Sequence, residues 1–410
     1  MDPTKNPFAP GAGTQPPELA GRDQILTDAE VALARLKLGR AARGQLLLGL
    51  RGVGKTVLLN RIAELAAGSQ YLSIALEAPE NRPLAELLVP PLRSILFQLS
   101  RREAAKEGAR RALAVLRSFA SAFKVRAGDI EFEVAPATGT ADSGNLESDL
   151  PTLLQTVAEA AKSDKTAVAL FVDELQYLSP NDLSALIVSV HKIGQDGLPF
   201  ILFGAGLPQL AALAGEAKSY AERLFEFPDV GPLPIAAAMT AIREPLTQEG
   251  VQISGDALDV LVDKTKGYPY FLQEWGYHAW NVAEQSPITA ADVHKATEAA
   301  LAHLDAAFFR VRLDRLTPRE EAYVRAMAEL GPGSHRSGAI AKLLAVGVST
   351  VGPIREALIR KGIVYSPRHG DTAFTVPMFD EFMRRSIPNW TPSATQSGET
   401  GARHRRRPNH

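Results

Sequence analysis

Apolar positions along this chain fall into three successive rhythms. Up to about Pro232, short continuous apolar runs at 45–48, 70–76, 166–172 and 199–203 are separated by longer stretches with apolar residues at helical spacing. The run at 166–172 reads as a strand buried on both faces and the others as strands, and their alternation with helices predicts a parallel sheet covered on each side. From Pro234 to Leu316 the pattern is helical throughout, over 234–249, 255–266, 270–284 and 290–316, with breaks at Gly250, Gly267-Tyr268-Pro269 and Pro287. The third rhythm begins with a helix to Leu330 that has Thr317 as N-cap and Pro318 in its first turn. It continues with a short helix over 337–345, a turn at Gly347-Val348-Ser349, a helix capped by Ser349 and ending at Lys361-Gly362, and two strands at 363–366 and 372–376. Three helices and a β-hairpin predict a winged helix-turn-helix.

Two segments depart from these rhythms. Pro3, Pro7, Pro10, Pro16 and Pro17 oppose regular structure at the N-terminus, which predicts a flexible arm over 1–17. Residues 123–134 alternate like two short strands around Ala127-Gly128-Asp129, and a Thr/Gly/Ser-rich stretch follows to Ser148, so a surface hairpin and a mobile loop are expected there.

Residues 49–56 read Gly-Leu-Arg-Gly-Val-Gly-Lys-Thr, the P-loop spacing of Gly, four residues, Gly-Lys-Thr, between an apolar strand and a helical pattern at 57–65. This context predicts binding of a nucleoside triphosphate. Gly49, Gly52 and Gly54 let the backbone curl so that its N–H groups face phosphate oxygens, and the helix that starts near Lys55 adds the positive end of its dipole. The expected nucleotide-binding set is therefore Gly49, Leu50, Arg51, Gly52, Val53, Gly54, Lys55, Thr56 and Val57. Lys55 is placed to reach the β- and γ-phosphates and the Thr56 hydroxyl to ligate Mg²⁺, so ATP and Mg²⁺ are the expected cofactors. The strand at 166–172 ends in Asp173-Glu174, a Walker B pattern. Asp173 is expected to hold the Mg²⁺ water shell and Glu174 to polarise the water that attacks the γ-phosphate, giving ADP and phosphate.

Composition narrows the classes further. A chain of 410 residues exceeds one ordinary core, so two or three domains are expected, and 45% hydrophobic with 22% charged residues describes a soluble globular protein. There is no cysteine, which excludes disulfides, thiolate metal sites and a cysteine nucleophile. The N-terminal residues lack an apolar leader core and no apolar stretch approaches a membrane span, so a cytoplasmic location without a membrane partner is expected. The net charge of −1 hides an asymmetry: residues 309–389 hold thirteen Lys and Arg against eight Asp and Glu, and Arg403, Arg405, Arg406 and Arg407 follow in the tail.

On its P-loop and Walker B motifs the chain resembles the AAA+ and STAND ATPases, in particular the branch similar to origin-recognition initiators. The likeness runs over about 18–388 and implies an ATPase core (18–232), a helical lid (233–316), a winged helix-turn-helix (317–388) and a disordered basic tail (389–410) after the arm. Residues 17–23 are similar to the box of that branch that lies near the adenine, which adds Gly21 and Arg22 to the binding set. Gly267-Tyr268-Pro269 is similar to the Gly-x-Pro lid motif of STAND proteins and adds Pro269. Two departures imply slow turnover, or a switch rather than a motor. The strand after Walker B runs into Gly204-Ala205-Gly206 with no polar sensor, and no sensor arginine follows in 267–273. Arg223 is the candidate arginine finger, acting on a neighbouring subunit's nucleotide in a homo-oligomer.

A winged helix binds double-stranded DNA with its second motif helix in the major groove and its wing on the backbone. Here those elements offer Arg355, Arg360, Lys361 and Arg368, with Arg336, Lys342 and His369 nearby. The first turn of the helix, 350–353, is poor in base-reading side chains, so backbone-dominated binding is expected. The alternative is a STAND-like signalling switch whose winged helix contacts a protein partner. His278 and the aromatics Tyr268, Tyr270, Phe271, Trp275 and Trp280 read by their spacing as core.

Overall fold

Strands that are apolar on both faces pair in parallel when each is followed by a helix that carries the chain back over the sheet. In the computed structural model, which describes residues 1–11, 16, 18–80, 82–125 and 134–392, α1 (Asp23–Lys37) leads into β1 (Gly44–Leu48), and α2 (Lys55–Gly68) into β2 (Leu72–Glu77). Three helices, α3 (Leu84–Ser100), α4 (Lys106–Ala122) and α5 (Leu146–Ser163), precede β3 (Val168–Asp173). Then come α6 (Pro180–Gln195), β4 (Phe200–Gly206), α7 (Leu210–Ala217), α8 (Ala221–Leu224) and β5 (Phe225–Glu226). The strands form one parallel sheet in the order β2-β3-β4-β1-β5. β3 and β4 are buried at every position, as their unbroken apolar runs require, and Phe171 stacks on Phe203 across them at 5.5 Å. The P-loop therefore leaves the C-terminal end of β1, with β4 between it and the end of β3.

The chain continues through α9 (Ile235–Gln248), α10 (Gly255–Thr265), α11 (Pro269–Val282) and α12 (Ala290–His303), then α13 (Arg310–Leu313) and α14 (Pro318–Glu329). After β6 (His335–Arg336) come α15 (Ser337–Leu343), α16 (Val348–Arg360), β7 (Val364–Tyr365), β8 (Asp371–Phe374) and α17 (Phe379–Ser386). Two compact units result. One holds Gly11–Ala241 with Gly267–Tyr270; the other holds Met1–Pro10, Ile242–Lys266 and the chain from Phe271 onward. In the second unit β6-β8-β7 form a small antiparallel sheet beside α14, α15 and α16, an arrangement consistent with a winged helix. Among the described residues no single helix is long and apolar enough to cross a membrane.

The second unit differs from the pattern read in the sequence at several places. The helix expected over 290–316 passes from α12 to α13 through a π-helical stretch, Leu304–Phe309. That stretch presents Phe309 to Phe382 at 5.2 Å and to Phe379 at 5.9 Å, so the end of the expected lid shares an aromatic core with the C-terminal helix. β6 and α17 were not anticipated: two residues are too short to show a period, and α17 buries only Phe379, Asp380, Phe382 and Met383. α16 starts at Val348 with Gly347 as its N-cap, so Ser349 sits inside the first turn rather than capping it. Thr317 does cap α14, in a reciprocal box with Glu320.

The N-terminal arm needs a larger correction. Residues 1–10 are not free: Pro3–Lys5 form a 3-10 turn, Asn6 Nδ2 donates to the Tyr277 carbonyl at 3.0 Å, and Trp280 Nε1 donates to the Asp2 carbonyl at 2.8 Å. Phe8 is buried against Gly276, where a Cβ would lie 2.7 Å from the ring. Prolines limit backbone hydrogen bonding, but they do not stop a side chain from filling a notch. The core of the expected hairpin, 126–133, lies outside the described residues. The loop beyond it is held rather than mobile, because the Asp149 carboxylate accepts from the Ser143 hydroxyl at 2.8 Å and the Gly144 amide at 2.9 Å. The basic tail from 393 also lies outside the described residues.

Deleting the ring that anchors the arm should be felt globally. Phe8→Ala is expected to lower the stability of the second unit by about 3 kcal/mol in a denaturant titration, the usual cost of removing a buried aromatic ring. Trypsin should then cut faster at Lys5.

Candidate nucleotide-binding site

The P-loop geometry follows from its glycines. Gly52 and Gly54 hold φ of 84° and 93°, in the left-handed region that L side chains rarely adopt, and Gly54 is the N-cap from which α2 starts at Lys55. Gly49 passes so close to Val230 that a Cβ would lie 2.2 Å from its carbonyl oxygen. Among the described residues, the backbone N–H groups of Arg51, Gly52, Val53 and Gly54 donate to no backbone acceptor, and the buried Arg51 Nε has no partner. Unspent donors at the positive end of a helix form an anion cradle, which fits the phosphates of a nucleotide. Lys55 is buried, and its ammonium donates to the Leu50 carbonyl at 2.9 Å. Val57 continues α2 one turn in.

The metal pair is also formed. Thr56 Oγ1 donates to Asp173 Oδ2 at 2.6 Å, and the Glu174 amide donates to Asp173 Oδ1 at 2.8 Å. A hydroxyl and a carboxylate side by side at the foot of the cradle suit a hard divalent cation such as Mg²⁺. Burial pushes the Asp173 carboxyl above the ordinary range, against the hydrogen bonds from Thr56 and Glu174, and pushes the Lys55 ammonium below its own, against the pull of Glu174 and Asp173. Both shifts have the same cause: charges held in a dry site that a metal and a polyphosphate would neutralise.

Glu174 is a non-glycine residue at φ 54°, a backbone strain of the kind found at functional sites. Its carboxylate accepts from Gln176 Nε2, and Gln176 Oε1 accepts the Leu207 amide at 3.0 Å. This side-chain bridge explains the missing polar sensor. A Cβ at Gly204 would lie 2.2 Å from Leu175 Cδ1, and one at Gly206 would lie 2.7 Å from Gln176 Oε1. The turn after Glu174 folds over the end of β4, so a side chain there would have to displace Leu175 or Gln176. Gln176 holds that place instead, and no motif in the sequence marks it.

The two short boxes close around the loop. Arg22 is buried and its guanidinium donates to the carbonyls of Val53 and Gly231, while Gly21, at φ 70°, lets Ala237 approach to 2.7 Å of a would-be Cβ. The Tyr268 hydroxyl donates to the Arg51 carbonyl, and the Tyr270 amide donates to the Gly52 carbonyl at 3.1 Å. Pro269 starts α11 between them. The Tyr177 hydroxyl accepts from Arg51. The Tyr268 and Tyr177 contacts were not read from the sequence, where both residues look like ordinary core aromatics.

Arg223 stands apart from this cluster. It precedes β5, whose Phe225 pairs with Gly44 at the start of β1, so it lies at the opposite end of the sheet from the P-loop. There it is exposed and lines a cleft of about 830 Å³ with Arg35, Lys37, Arg40, Arg43 and Lys165. It cannot serve this chain's own nucleotide.

The C-terminal cations divide into two pairs. Arg355 donates to Thr372 Oγ1 at 2.8 Å, to Ser366 Oγ at 2.5 Å and to the Asp371 carbonyl at 3.0 Å, which spends its guanidinium on holding the β7–β8 hairpin. Lys361 donates to Glu320 Oε2 at 2.7 Å and to the Arg315 carbonyl at 2.8 Å, bracing the start of α14. Both were expected to face phosphate; in the structure they are half-buried and engaged with these partners. Arg360 and Arg368 are exposed.

A carboxyl whose folded pKa lies above its unfolded value destabilises the fold once ionised, and the cost disappears as pH falls through the raised value. Asp173→Asn removes that cost. The nucleotide-free variant is expected to melt above the wild type at pH 7, with the gap closing as pH falls toward the ordinary carboxyl range, while its affinity for Mg²⁺-ATP drops. A lower melting temperature at pH 7 would contradict the assignment.

Residues 18–202 match the AAA ATPase domain, and residues 306–383 match a domain of unknown function. An uncharacterised HTH-type transcriptional regulator of Methanocaldococcus jannaschii is 25% identical over 237 residues, which is 56% of this chain and 56% of that protein. The chain thus spans about half the length of that curated relative. Among solved structures, the Walker-type ATPase of Pyrococcus abyssi aligns over 89% of this chain and 96% of its own, with 17% identity and a TM-score of 0.56. The ORC2 protein of Aeropyrum pernix aligns over 92% and 98%, with 16% identity and a TM-score of 0.50. At such identities these structures speak for the fold. With the cradle, the Thr56–Asp173 pair and the parallel sheet that positions them, residues 18–202 are an AAA ATPase domain of the P-loop class.

Proposed function

We propose that this protein binds ATP with Mg²⁺, hydrolyses it slowly and uses the nucleotide state as a switch for a C-terminal region that binds double-stranded DNA. The observation that carries the reading is the hydrogen-bonded line from Thr56 through Asp173 and Glu174 to Gln176, beside four P-loop amides that, among the described residues, donate to no backbone acceptor. In it Lys55 offsets phosphate charge, Thr56 and Asp173 hold the cation, and Glu174 accepts the proton of the attacking water. Glu174 must first part from Gln176, and β4 supplies no sensor to speed the step, which argues for slow turnover. The route to a switch is short: the Tyr270 amide is bonded to the Gly52 carbonyl, and α11 runs from that first turn into the second unit. A shift of the loop on nucleotide binding would bias the helix between two arrangements.

The DNA part of the reading rests on the helix-turn-helix name of the Methanocaldococcus jannaschii relative, the small antiparallel sheet beside α14–α16, and the exposed Arg360 and Arg368. A second reading, a signalling switch that contacts protein, is favoured by Val346 and Val348, which are 41% and 57% exposed at the start of α16 where a DNA reader would carry polar side chains.

Three variants separate these readings. Glu174→Gln is expected to keep ATP binding and lose at least about 100-fold in turnover, the usual contribution of a general base. Lys55→Ala is expected to lose ATP binding in calorimetry. Arg360→Glu with Arg368→Glu should leave ATP affinity unchanged and reduce the slope of log DNA affinity against log salt by about 2, one per phosphate contact. No DNA binding by the wild type in either nucleotide state, measured by anisotropy at low salt, would leave the protein-contact reading in place.

A further inference from the structure

Glu274 lies in α11, one helical turn beyond Tyr270, and has no solvent exposure at all. A buried carboxylate needs a compensating charge. Among the described residues its ion-pair contacts are two imidazoles: His278 Nε2 at 3.1 Å on the next turn of the same helix, and His303 Nδ1 at 2.5 Å at the end of α12. Both reach the same oxygen, Oε1; the other, Oε2, is buried without a hydrogen-bond partner. One ligand atom from each of the three residues lies within 4.8 Å of the others.

We propose that Glu274, His278 and His303 form a binding site for a divalent transition-metal ion, with zinc as the cation that fits best. Two imidazoles and one carboxylate are a borderline-soft N₂O set that suits zinc, and three protein ligands leave a fourth position for water. Ligand atoms around tetrahedral zinc stand roughly 3.3 Å apart, given bonds of about 2.0–2.1 Å. The Glu274–His278 spacing is close to that. The Glu274–His303 spacing has to open by less than about 1 Å on the same bond lengths, and the His303 side chain, 53% exposed, is free to swing outward. The same exposure gives the ion its way in. A bound cation would offset the buried charge and draw in the orphan Oε2, neither of which a single shared proton does as completely. It would also clamp α11 to α12, which Trp275 Nε1 and Thr297 Oγ1 already join at 3.0 Å. Unlike the P-loop pair, this site holds nitrogen ligands and has no use for Mg²⁺.

The test is zinc titration of the untagged full-length chain by calorimetry, in parallel with thermal unfolding, for wild type, His303→Ala and Glu274→Gln. The wild type is expected to bind zinc with micromolar or tighter affinity at this site and to melt several degrees higher with the metal. His303→Ala, a change at an exposed position, should weaken that binding at least tenfold and abolish the thermal shift while leaving ATP affinity intact. Cobalt(II) should give intense tetrahedral d–d absorption in the wild type that His303→Ala removes. That difference isolates the site from zinc taken up elsewhere, and it carries the test even if Glu274→Gln folds poorly. No zinc binding by the wild type, or equal affinity, melting shift and cobalt spectrum in wild type and His303→Ala, would overturn the proposal.

Discussion

The hydrogen bond from Thr56 to Asp173, 2.6 Å long, is the constraint on which the ATPase unit turns. It joins the loop after β1 to the end of β3 although β4 lies between the two strands, so it exists only if the sheet has the order β3-β4-β1 and if β4 stays low where the two ends lean over it. The glycines at the end of β4 meet that condition. A side chain at Gly204 or Gly206 would require Leu175 or Gln176 to shift, and a shift of Gln176 would disturb its contact with Glu174. What looks in the sequence like a degenerate sensor is the clearance that the Walker B turn requires.

The electrostatics of the site follow from the same closeness. Burial disfavours the charged forms of Lys55 and Asp173, while each opposite charge partly restores its neighbour. Such a cluster is under tension by itself and is relieved by a ligand that brings both a cation and a polyanion. The loop is joined to the first turn of α11 by the Tyr268 and Tyr270 contacts. The helix that begins at the nucleotide also carries Glu274, His278 and the notch at Gly276 that holds Phe8.

In the C-terminal region, charge and packing compete for the same residues. The positive excess read from the sequence is real, but part of it is paired within the fold: Arg355 with the hairpin, Lys361 with Glu320, Arg325 with Glu329, and, nearer the surface, Arg384 with Asp380 and Arg385 with Asp305. A long cationic side chain beside a buried carboxylate or carbonyl gains more from that partner than from water, so formal charge overstates what a ligand would meet. Arg336, Lys342, Arg360 and Arg368 stay exposed, and Val346 and Val348 between them in the chain are exposed and apolar.

By itself the sequence determined the parts whose physics is local. Gly49, Gly52, Gly54, Lys55 and Thr56 announce a phosphate cradle because that spacing turns backbone N–H groups inward, the runs of β3 and β4 announce strands because a two-faced burial leaves no alternation, and Thr317-Pro318 announces a helix start because its cap is made within one turn. The tertiary structure alone decided whatever depends on partners distant in the chain. Arg355 and Lys361 read the same as Arg360 until the hairpin and α14 claim them, Gln176 and Tyr268 are ordinary residues until the end of β4 and the P-loop come beside them, and an arm rich in proline is held by hydrogen bonds to α11 and by a ring in a notch that a glycine 268 residues later provides. Pattern reports which face of a residue's own element is apolar. It does not report which neighbour fills that face, and in this protein those neighbours decide which cations, carboxylates and imidazoles remain available for chemistry.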